Sequence, residues 1–128
     1  MPTFPGATGD VVTAAMWNGL PAFSVASDKT TDYTAASGDE YQQLIPMNKA
    51  SAIAFQIPTD ATYNFAVGTV ITVLNKGAGT CTISAVTPGT TTVLSAGGTP
   101  ASPTLGQYKS ASCIKTAANA WYVVGAIG

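Results

Sequence analysis

Short runs of β-branched and aromatic residues, each ended by glycine or proline, follow one another through most of this 128-residue chain. The clearest run alternates strictly, with Ile53, Phe55 and Ile57 on one face, and Pro58 ends it. Because side chains in a strand point to opposite faces in turn, such a run indicates a strand with one buried face. Six or seven runs of this kind predict an all-β domain over residues 27–128, an antiparallel β-sandwich or barrel.

Two pairs of runs are close enough in sequence to predict hairpins. Residues 69–75 and 80–86 flank a glycine-rich sequence, whose glycines we expect to adopt positive φ angles in a tight turn. Residues 107–116 and 120–126 flank a second short turn. Each pair is therefore predicted to form antiparallel neighbours in one sheet.

The first 26 residues differ from the rest and predict an extended arm that precedes the β domain. Prolines and glycines interrupt its first part, and residues 13–18 predict one short helical turn with Thr13 as the N-cap. A helix this short is not stable alone in water, so we expect the arm to dock on its own domain or on a neighbouring subunit. The side chains expected to anchor it are Phe4, Met16, Trp17 and Leu20.

The last run, residues 120–126, is apolar on both of its faces. A strand with one face in water normally alternates apolar with polar residues, so two apolar faces indicate cover on both sides. One interpretation is a central strand covered by its own fold; the other, which we favour, is a strand at a contact between chains. The set expected in the core is Trp121, Val123 and Gly125. The set expected to face a neighbouring chain is Tyr122, Val124 and Ala126.

Charged residues make up 9% of the chain, against about a quarter in ordinary globular proteins. The five basic residues are all lysines, and neither arginine nor histidine occurs. A solitary soluble domain usually has a more strongly charged surface, so we expect a subunit of a larger assembly rather than a polar, uncharged monomer. The net charge of −1 and the dispersed lysines argue against nucleic acid as a partner.

Neither a membrane span nor a secretory signal is expected. The chain has no apolar run near the ~18 residues that a spanning helix requires. Its first residues lack the basic region and the continuous apolar region of a signal peptide. We therefore expect a protein that is made in a cytoplasm.

The composition also argues against an enzyme. Without histidine, the Ser-His-Asp and Cys-His sites cannot form, and two distant cysteines are too few to ligate zinc. Asp39 and Glu40 are adjacent, which in a strand would direct them to opposite faces. Asp28 and Asp32 lie in a polar loop, where aspartates more often form turns than a weak calcium site. We expect no catalytic residue, no cofactor and no resident metal.

The two cysteines, Cys81 and Cys113, lie in runs that alternate like strands. They could face one another across a sheet at a distance that permits a disulfide. Cysteines of cytosolic proteins are usually reduced and buried, so we favour two free thiols.

Several motifs occur in an order that resembles a β-rich module of tailed-bacteriophage structural proteins. In this chain they are "DEYQQLI" (39–45), "AFQIP" (54–58), "FAVGTVITV" (65–73), "GAGTCTI" (77–83), "SASCIK" (110–115) and "NAWYVVG" (119–125). The N-terminal "GDVVTAAMWN" (9–18) is also similar to the openings of many phage structural proteins. The resemblance covers nearly the whole chain, and its specificity lies in the order and spacing of the motifs.

The resemblance implies a non-enzymatic virion protein. Such modules are used in tail fibres, tail spikes and capsid decoration (cement) proteins, commonly as trimers. Because this chain lacks the long repeats of a fibre, the resemblance favours a homotrimeric decoration protein that binds the major capsid protein on the outer capsid surface. A tail-fibre or tail-spike module, or an adhesin that binds a receptor or glycan, is the alternative.

Overall fold

The computed structural model describes residues 24–96 and 98–128. Within these residues the chain forms ten strands and one 3-10 helix, Asp39–Tyr41, so the all-β prediction is confirmed. The strands are β1 Ser24–Val25, β2 Tyr33–Thr34, β3 Gln42–Met47, β4 Ile53–Ile57, β5 Val70–Asn75, β6 Cys81–Ala85, β7 Thr92–Ser95, β8 Thr104–Leu105, β9 Ser110–Ala117 and β10 Ala120–Gly125.

Most of the predicted arm lies outside the described residues. This holds for its helical turn and for the anchoring side chains Phe4, Met16, Trp17 and Leu20. The end of the predicted arm is described, and there Ser24–Val25 forms strand β1 of the β domain. The domain therefore includes at least two residues that the sequence assigns to the arm.

The strands form two sheets with the hydrophobic core between them. The order is β1-β3-β5-β9-β10-β7 in the six-stranded sheet and β2-β4-β6-β8 in the four-stranded sheet. Both sheets are mixed rather than antiparallel throughout, because β1, β3 and β5 are parallel, as are β2, β4 and β6. The reason is the path of the chain: each of its first six strands is followed by a strand in the other sheet, so neighbours within a sheet run in the same direction.

The hairpin predicted for residues 69–86 is wrong. Strand β5 pairs with β3 and β9, whereas β6 pairs with β4 and β8 in the other sheet. The connection between them is an arch from one sheet to the other. A hairpin and an arch share the same alternation and the same glycine-rich connection, so the local pattern does not distinguish them.

The glycines of this arch allow another backbone segment to pack closely against it, and they do not form the predicted turn with positive φ angles. Neither Gly77 nor Gly79 has a positive φ. The preceding arch, between β3 and β4, lies directly against them, and the Gly79 N–H donates to the Lys49 carbonyl oxygen at 3.0 Å. A Cβ atom at Gly77 would overlap the Lys49 backbone, and one at Gly79 would overlap the Ser51 carbonyl group. Glycine is therefore required here because another backbone approaches.

Asn75 ties this arch to both sheets. Its side chain is fully buried, and Nδ2 donates to the carbonyl oxygens of Gly79 and Leu105, each at 2.8 Å. Its Oδ1 accepts the Gly77 N–H at 3.1 Å. These bonds offset the cost of burying a carboxamide, and they position the end of β5 against β8 of the opposite sheet.

The second predicted hairpin is confirmed. Strands β9 and β10 pair antiparallel, with Trp121 opposite Lys115 and Val124 opposite Ser112. Asn119 occupies the left-handed region in the turn, with φ 49°. Asparagine tolerates this conformation better than most residues, which explains its position there.

A buried lysine attaches this hairpin to the loop between β4 and β5. Lys115 is 2% exposed, and its Nζ donates to Asp60 Oδ1 at 2.7 Å, Asn64 Oδ1 at 2.8 Å and the Phe65 carbonyl oxygen at 2.6 Å. Asp60 Oδ2 accepts the Asn119 N–H at 3.0 Å. Burial alone would raise the pKa of Asp60, but the hydrogen bonds from Lys115 and Asn119 outweigh it and hold the pKa below its ordinary value. All three donors of the ammonium group are satisfied, as a buried charge requires.

Candidate functional site

The outer face of the six-stranded sheet carries a row of apolar side chains that no other part of the described chain covers fully. Val70, Ile114, Tyr122 and Leu94 lie opposite one another across β5, β9, β10 and β7. Paired residues of neighbouring strands share a face, so these four form one continuous band, here called the apolar stripe. Val70 and Tyr122 are each 47% exposed, and Leu94 is 39% exposed.

A second row beside the stripe is also uncharged. Thr72, Ser112 and Val124 lie opposite one another, and the hydroxyl oxygens of Thr72 and Ser112 are 3.0 Å apart. Val124 is 52% exposed. Threonine, serine and valine side chains are all uncharged, so this row adds no charge to the surface beside the stripe.

The two sets of side chains in β10 are placed largely as the sequence predicts. Trp121 and Val123 are each 1% exposed and lie in the core, whereas Tyr122 and Val124 point outward. Within residues 24–96 and 98–128, the outer side of β10 is therefore only half covered. The sequence pattern alone left both interpretations open.

The end of β10 departs from the prediction. Gly125 is exposed rather than in the core, because its φ of 145° takes the backbone out of the alternation. A Cβ atom there would lie 2.6 Å from the Ser110 carbonyl oxygen, so glycine is required by an approach within the chain itself. Ala126 follows the strand, is exposed, and its N–H donates to that same oxygen at 3.0 Å.

The outer face of the four-stranded sheet has a different chemistry. Its residues are small or polar, and all are partly exposed: Thr34, Ala54, Gln56, Thr82, Ser84 and Thr104. Exposed threonine, serine and glutamine are well solvated, whereas exposed valine, leucine and tyrosine in one band are typical of a contact surface. Of the two outer faces, that of the six-stranded sheet is therefore the more apolar and the better candidate for a contact surface.

Charge is absent from both sheet faces in the part of the chain that the structure describes. Apart from the buried Lys115, the charged residues of that part lie outside the strands. A charge next to an apolar contact would have to be desolvated when a partner binds. The apolar stripe imposes no such cost.

The acidic residues considered as catalytic candidates are bonded within the fold. Asp39 and Glu40 lie in the 3-10 helix rather than in a strand. The Tyr33 hydroxyl donates to Asp39 Oδ2 at 2.7 Å, and the Tyr63 hydroxyl donates to Glu40 Oε2 at 2.8 Å. Burial, followed by the hydrogen bond to Asp39, raises the pKa of Tyr33 to about 12. The arrangement anchors the 3-10 helix to β2 and to the β4–β5 loop.

The aspartates of the polar loop are likewise engaged. Asp28 accepts hydrogen bonds from Lys76 Nζ at 2.9 Å and Asn48 Nδ2 at 3.1 Å, and these hold its pKa below the ordinary value. Asp32 Oδ1 accepts the Ala54 N–H at 2.9 Å. Within the described ranges, no three histidine, cysteine, aspartate or glutamate side chains come together as metal ligands. The loop thus has a structural role in joining β1, β4 and β5.

The cysteines are free thiols in the core, as the sequence favours. Cys81 in β6 and Cys113 in β9 belong to opposite sheets and are fully buried. Burial raises the pKa of Cys81 to about 11. Burial, with the nearby Cys81, raises that of Cys113 to about 12. Neither thiol has the lowered pKa of a nucleophile.

Two small pockets, of about 170 and 280 Å³, lie on the described surface. Their linings are small and apolar or hydroxyl-bearing residues, without a titratable side chain. Neither supplies the acid, base or nucleophile that a reaction site needs. The apolar stripe therefore remains the strongest candidate for a functional site.

Comparisons with known proteins identified no relative of this chain. A scan against protein-family models, a search of curated proteins and a search of solved structures each found no match. Among the residues that the structure describes, no helix has the length and apolarity to cross a bilayer.

Proposed function

We propose that the protein is a non-enzymatic structural subunit of a tailed-bacteriophage virion, a homotrimeric decoration protein on the outer capsid surface. The observation that carries this proposal is the apolar stripe, an uncharged band across four strands of one sheet. Its partners are other copies of the chain and the major capsid protein. The order of the phage-like motifs along the sequence supports the same function.

The mechanism is the burial of surface, without a chemical step. Apolar area removed from water contributes roughly 25 cal/mol per Å², less the cost of association. Strands β5, β9 and β10 are each paired on both edges, so the stripe is formed before a partner arrives and little ordering is required. Many modest contacts repeated over a closed shell then act together, as multivalent binding predicts.

One observation favours the alternative, an adhesin at the tail. Tyr108 is 76% exposed and has a φ of 64°, which is uncommon for an aromatic residue. Its N–H donates to the Asn75 carbonyl oxygen at 2.6 Å, and Gln107 and Lys109 flank it. An aromatic ring held outward beside polar side chains is a surface that carbohydrates can bind.

Imaging of virions distinguishes the two functions. Particles from cells that carry the gene would be purified, labelled with antibodies against this protein and examined by electron microscopy. We expect the label over the capsid faces. A label at the tail only would support the adhesin, and absence of the protein from the particles by mass spectrometry would refute both.

A further inference from the structure

Lys115 is a buried amine that the proposed function does not use. Its side chain is 1% exposed, whereas the other four lysines are partly or fully exposed. Its Nζ lies 2.7 Å from Asp60 Oδ1 and 2.8 Å from Asn64 Oδ1, both in the loop between β4 and β5. A primary amine, a carboxylate and a carboxamide therefore meet at one point of the fold.

The hydrogen bond to Asn64 brings the amine close to a carbonyl carbon. Cγ of Asn64 is one C=O bond, about 1.2 Å, beyond Oδ1, so it is at most about 4 Å from Lys115 Nζ. Groups that are held at roughly 3–3.5 Å in a suitable orientation react far faster than the same groups free in solution. Asn64 is exposed, so a group that leaves its Cγ enters water directly.

Asp60 is placed to act as the base. An ammonium group must lose a proton before its nitrogen can attack a carbonyl carbon. Asp60 Oδ1 accepts a hydrogen bond from Nζ, within the reach that proton transfer requires. Asp60 Oδ2 accepts the Asn119 N–H at 3.0 Å, which fixes the orientation of the carboxylate. The nucleophile, its base and the carbon to be attacked thus form one cluster.

The surroundings of the amine are apolar. Lys115 lies opposite Trp121 in the sheet, and its Nζ also donates to the Phe65 carbonyl oxygen at 2.6 Å. Phe65 and Trp121 are 2% and 1% exposed, and their rings pack edge to face with centroids 5.7 Å apart. Transfer of a proton from Lys115 to Asp60 turns two charged groups into two neutral ones, which costs less in such a site than in water.

We propose that Lys115 and Asn64 of the same chain join in an isopeptide bond. The neutral Nζ adds to Cγ of Asn64, so a C–N bond forms and the Cγ–Nδ2 bond breaks. Of the three protons on Nζ, one remains on the new amide and two leave with Nδ2 as an ammonium ion. Asp60 carries the transferred protons and ends as a carboxylate. One amide replaces another, so no oxidant or cofactor is required, and release of ammonium into bulk water drives the reaction.

The reaction occurs once in each chain and does not depend on the proposed function. Despite burial, the hydrogen bonds from Lys115 and Asn119 hold the pKa of Asp60 below its ordinary value. The ion pair is therefore the resting form in freshly folded protein, and we expect the bond to form slowly. The bond connects the β4–β5 loop to β9, and a link between distant positions restricts the unfolded chain as a disulfide does.

High-resolution mass spectrometry of the full-length protein tests the inference. The protein would be kept folded at neutral pH for several days, and its mass compared with that calculated from the sequence. We expect the loss of one ammonia molecule. Trypsin should no longer cleave after Lys115, and tandem mass spectrometry should identify a branched peptide that joins Lys115 to Asn64.

Two variants test the assigned roles. Asn64→Ala changes an exposed residue, so it should fold with a wild-type circular dichroism spectrum, lose no ammonia and be cleaved after Lys115. Asp60→Ala should form the bond at least about a hundredfold more slowly, because it lacks the base.

A matched control uses a second cluster of the same residue types. Asn48 lies beside the exposed pair of Lys76 and Asp28, where its Nδ2 donates to Asp28 at 3.1 Å. Asn48→Ala should form the bond between Lys115 and Asn64 at the wild-type rate, because that cluster takes no part in the reaction.

Three results would overturn the inference. The first is a wild-type protein that keeps its full mass and is cleaved after Lys115. The second is loss of ammonia without a branched peptide, which would mean that Asn64 has cyclised on its own backbone. The third is loss of water with a branched peptide that joins Lys115 to Asp60, which would make Asp60 the electrophile.

Discussion

Aspartate substitutions at three consecutive positions of β10 test whether its outward side chains form a contact surface while its inward side chain belongs to the core. Tyr122→Asp and Val124→Asp change outward side chains that are 47% and 52% exposed, whereas Val123→Asp changes one that is 1% exposed. We expect the two outward variants to fold as monomers and the inward variant to unfold. The three positions are consecutive, so differences in local sequence do not confound the comparison.

The exposures determine the expected magnitudes. Full burial of such a side chain is worth about 1.5–3 kcal/mol, so a half-exposed one contributes about 1 kcal/mol to folding. Aspartate in a strand costs up to about 1 kcal/mol more. Each outward variant therefore loses about 1–2 kcal/mol, which a domain with a stability of about 5–15 kcal/mol tolerates. An unpaired carboxylate at Val123 costs several kcal/mol, of the same order as the whole stability.

Circular dichroism during heating, together with size-exclusion chromatography and light scattering, measures both effects. The wild type should be a trimer at micromolar concentration, and the outward variants should be monomers with wild-type spectra. Unfolding of both outward variants would refute the interface. So would a wild-type protein that is monomeric, or outward variants that remain trimeric.

Three further predictions concern the fold. Gly79→Ala should lower the midpoint of urea unfolding far more than Gly89→Ala. The reason is that a Cβ has no room at position 79 and meets nothing within 4 Å at position 89. Equal midpoints for the two variants would refute the packing of the arches. Iodoacetamide at pH 8 should leave Cys81 and Cys113 unmodified until the chain is unfolded. The reason is that burial raises the pKa of Cys81 to about 11 and that of Cys113 to about 12. Rapid alkylation of the native protein would contradict this prediction. The lowered pKa of Asp60 stabilises the fold above the pKa of the unfolded carboxyl, and this contribution is lost as the pH falls below about 4. Acid titration of unfolding should show a smaller fall for Asp60→Asn, and identical profiles would count against the Lys115 ion pair.

The arches give the core a distinctive connectivity. The chain passes from one sheet to the other at 76–80, and Asn75 satisfies the polar groups that this passage buries. Long-range pairings such as β5 with β9 and β6 with β8 then close the sheets. Domains dominated by such non-local contacts fold slowly, so we expect this domain to fold slowly.

The sequence by itself determined which side chains face inward along the regular strands, though not at Gly125, where the backbone leaves the alternation. Alternation is a property of the strand backbone, and it correctly placed Ile53, Phe55 and Ile57, together with Trp121 and Val123, in the core. It also identified the β9–β10 hairpin, whose strands are joined by a two-residue turn and therefore pair locally. The sequence contains no histidine, so sites that require histidine were excluded whatever the fold.

The tertiary structure alone decided which strands pair. The glycine-rich connection after β5 is compatible with a hairpin, and only competition among distant strands placed β5 and β6 in different sheets. The same holds for the apolar stripe, which joins residues 70, 94, 114 and 122 from four separate strands. Periodicity reports the environment of each strand separately. The register between strands depends on hydrogen bonds and burial summed over the whole domain, and that sum is not encoded in any one segment.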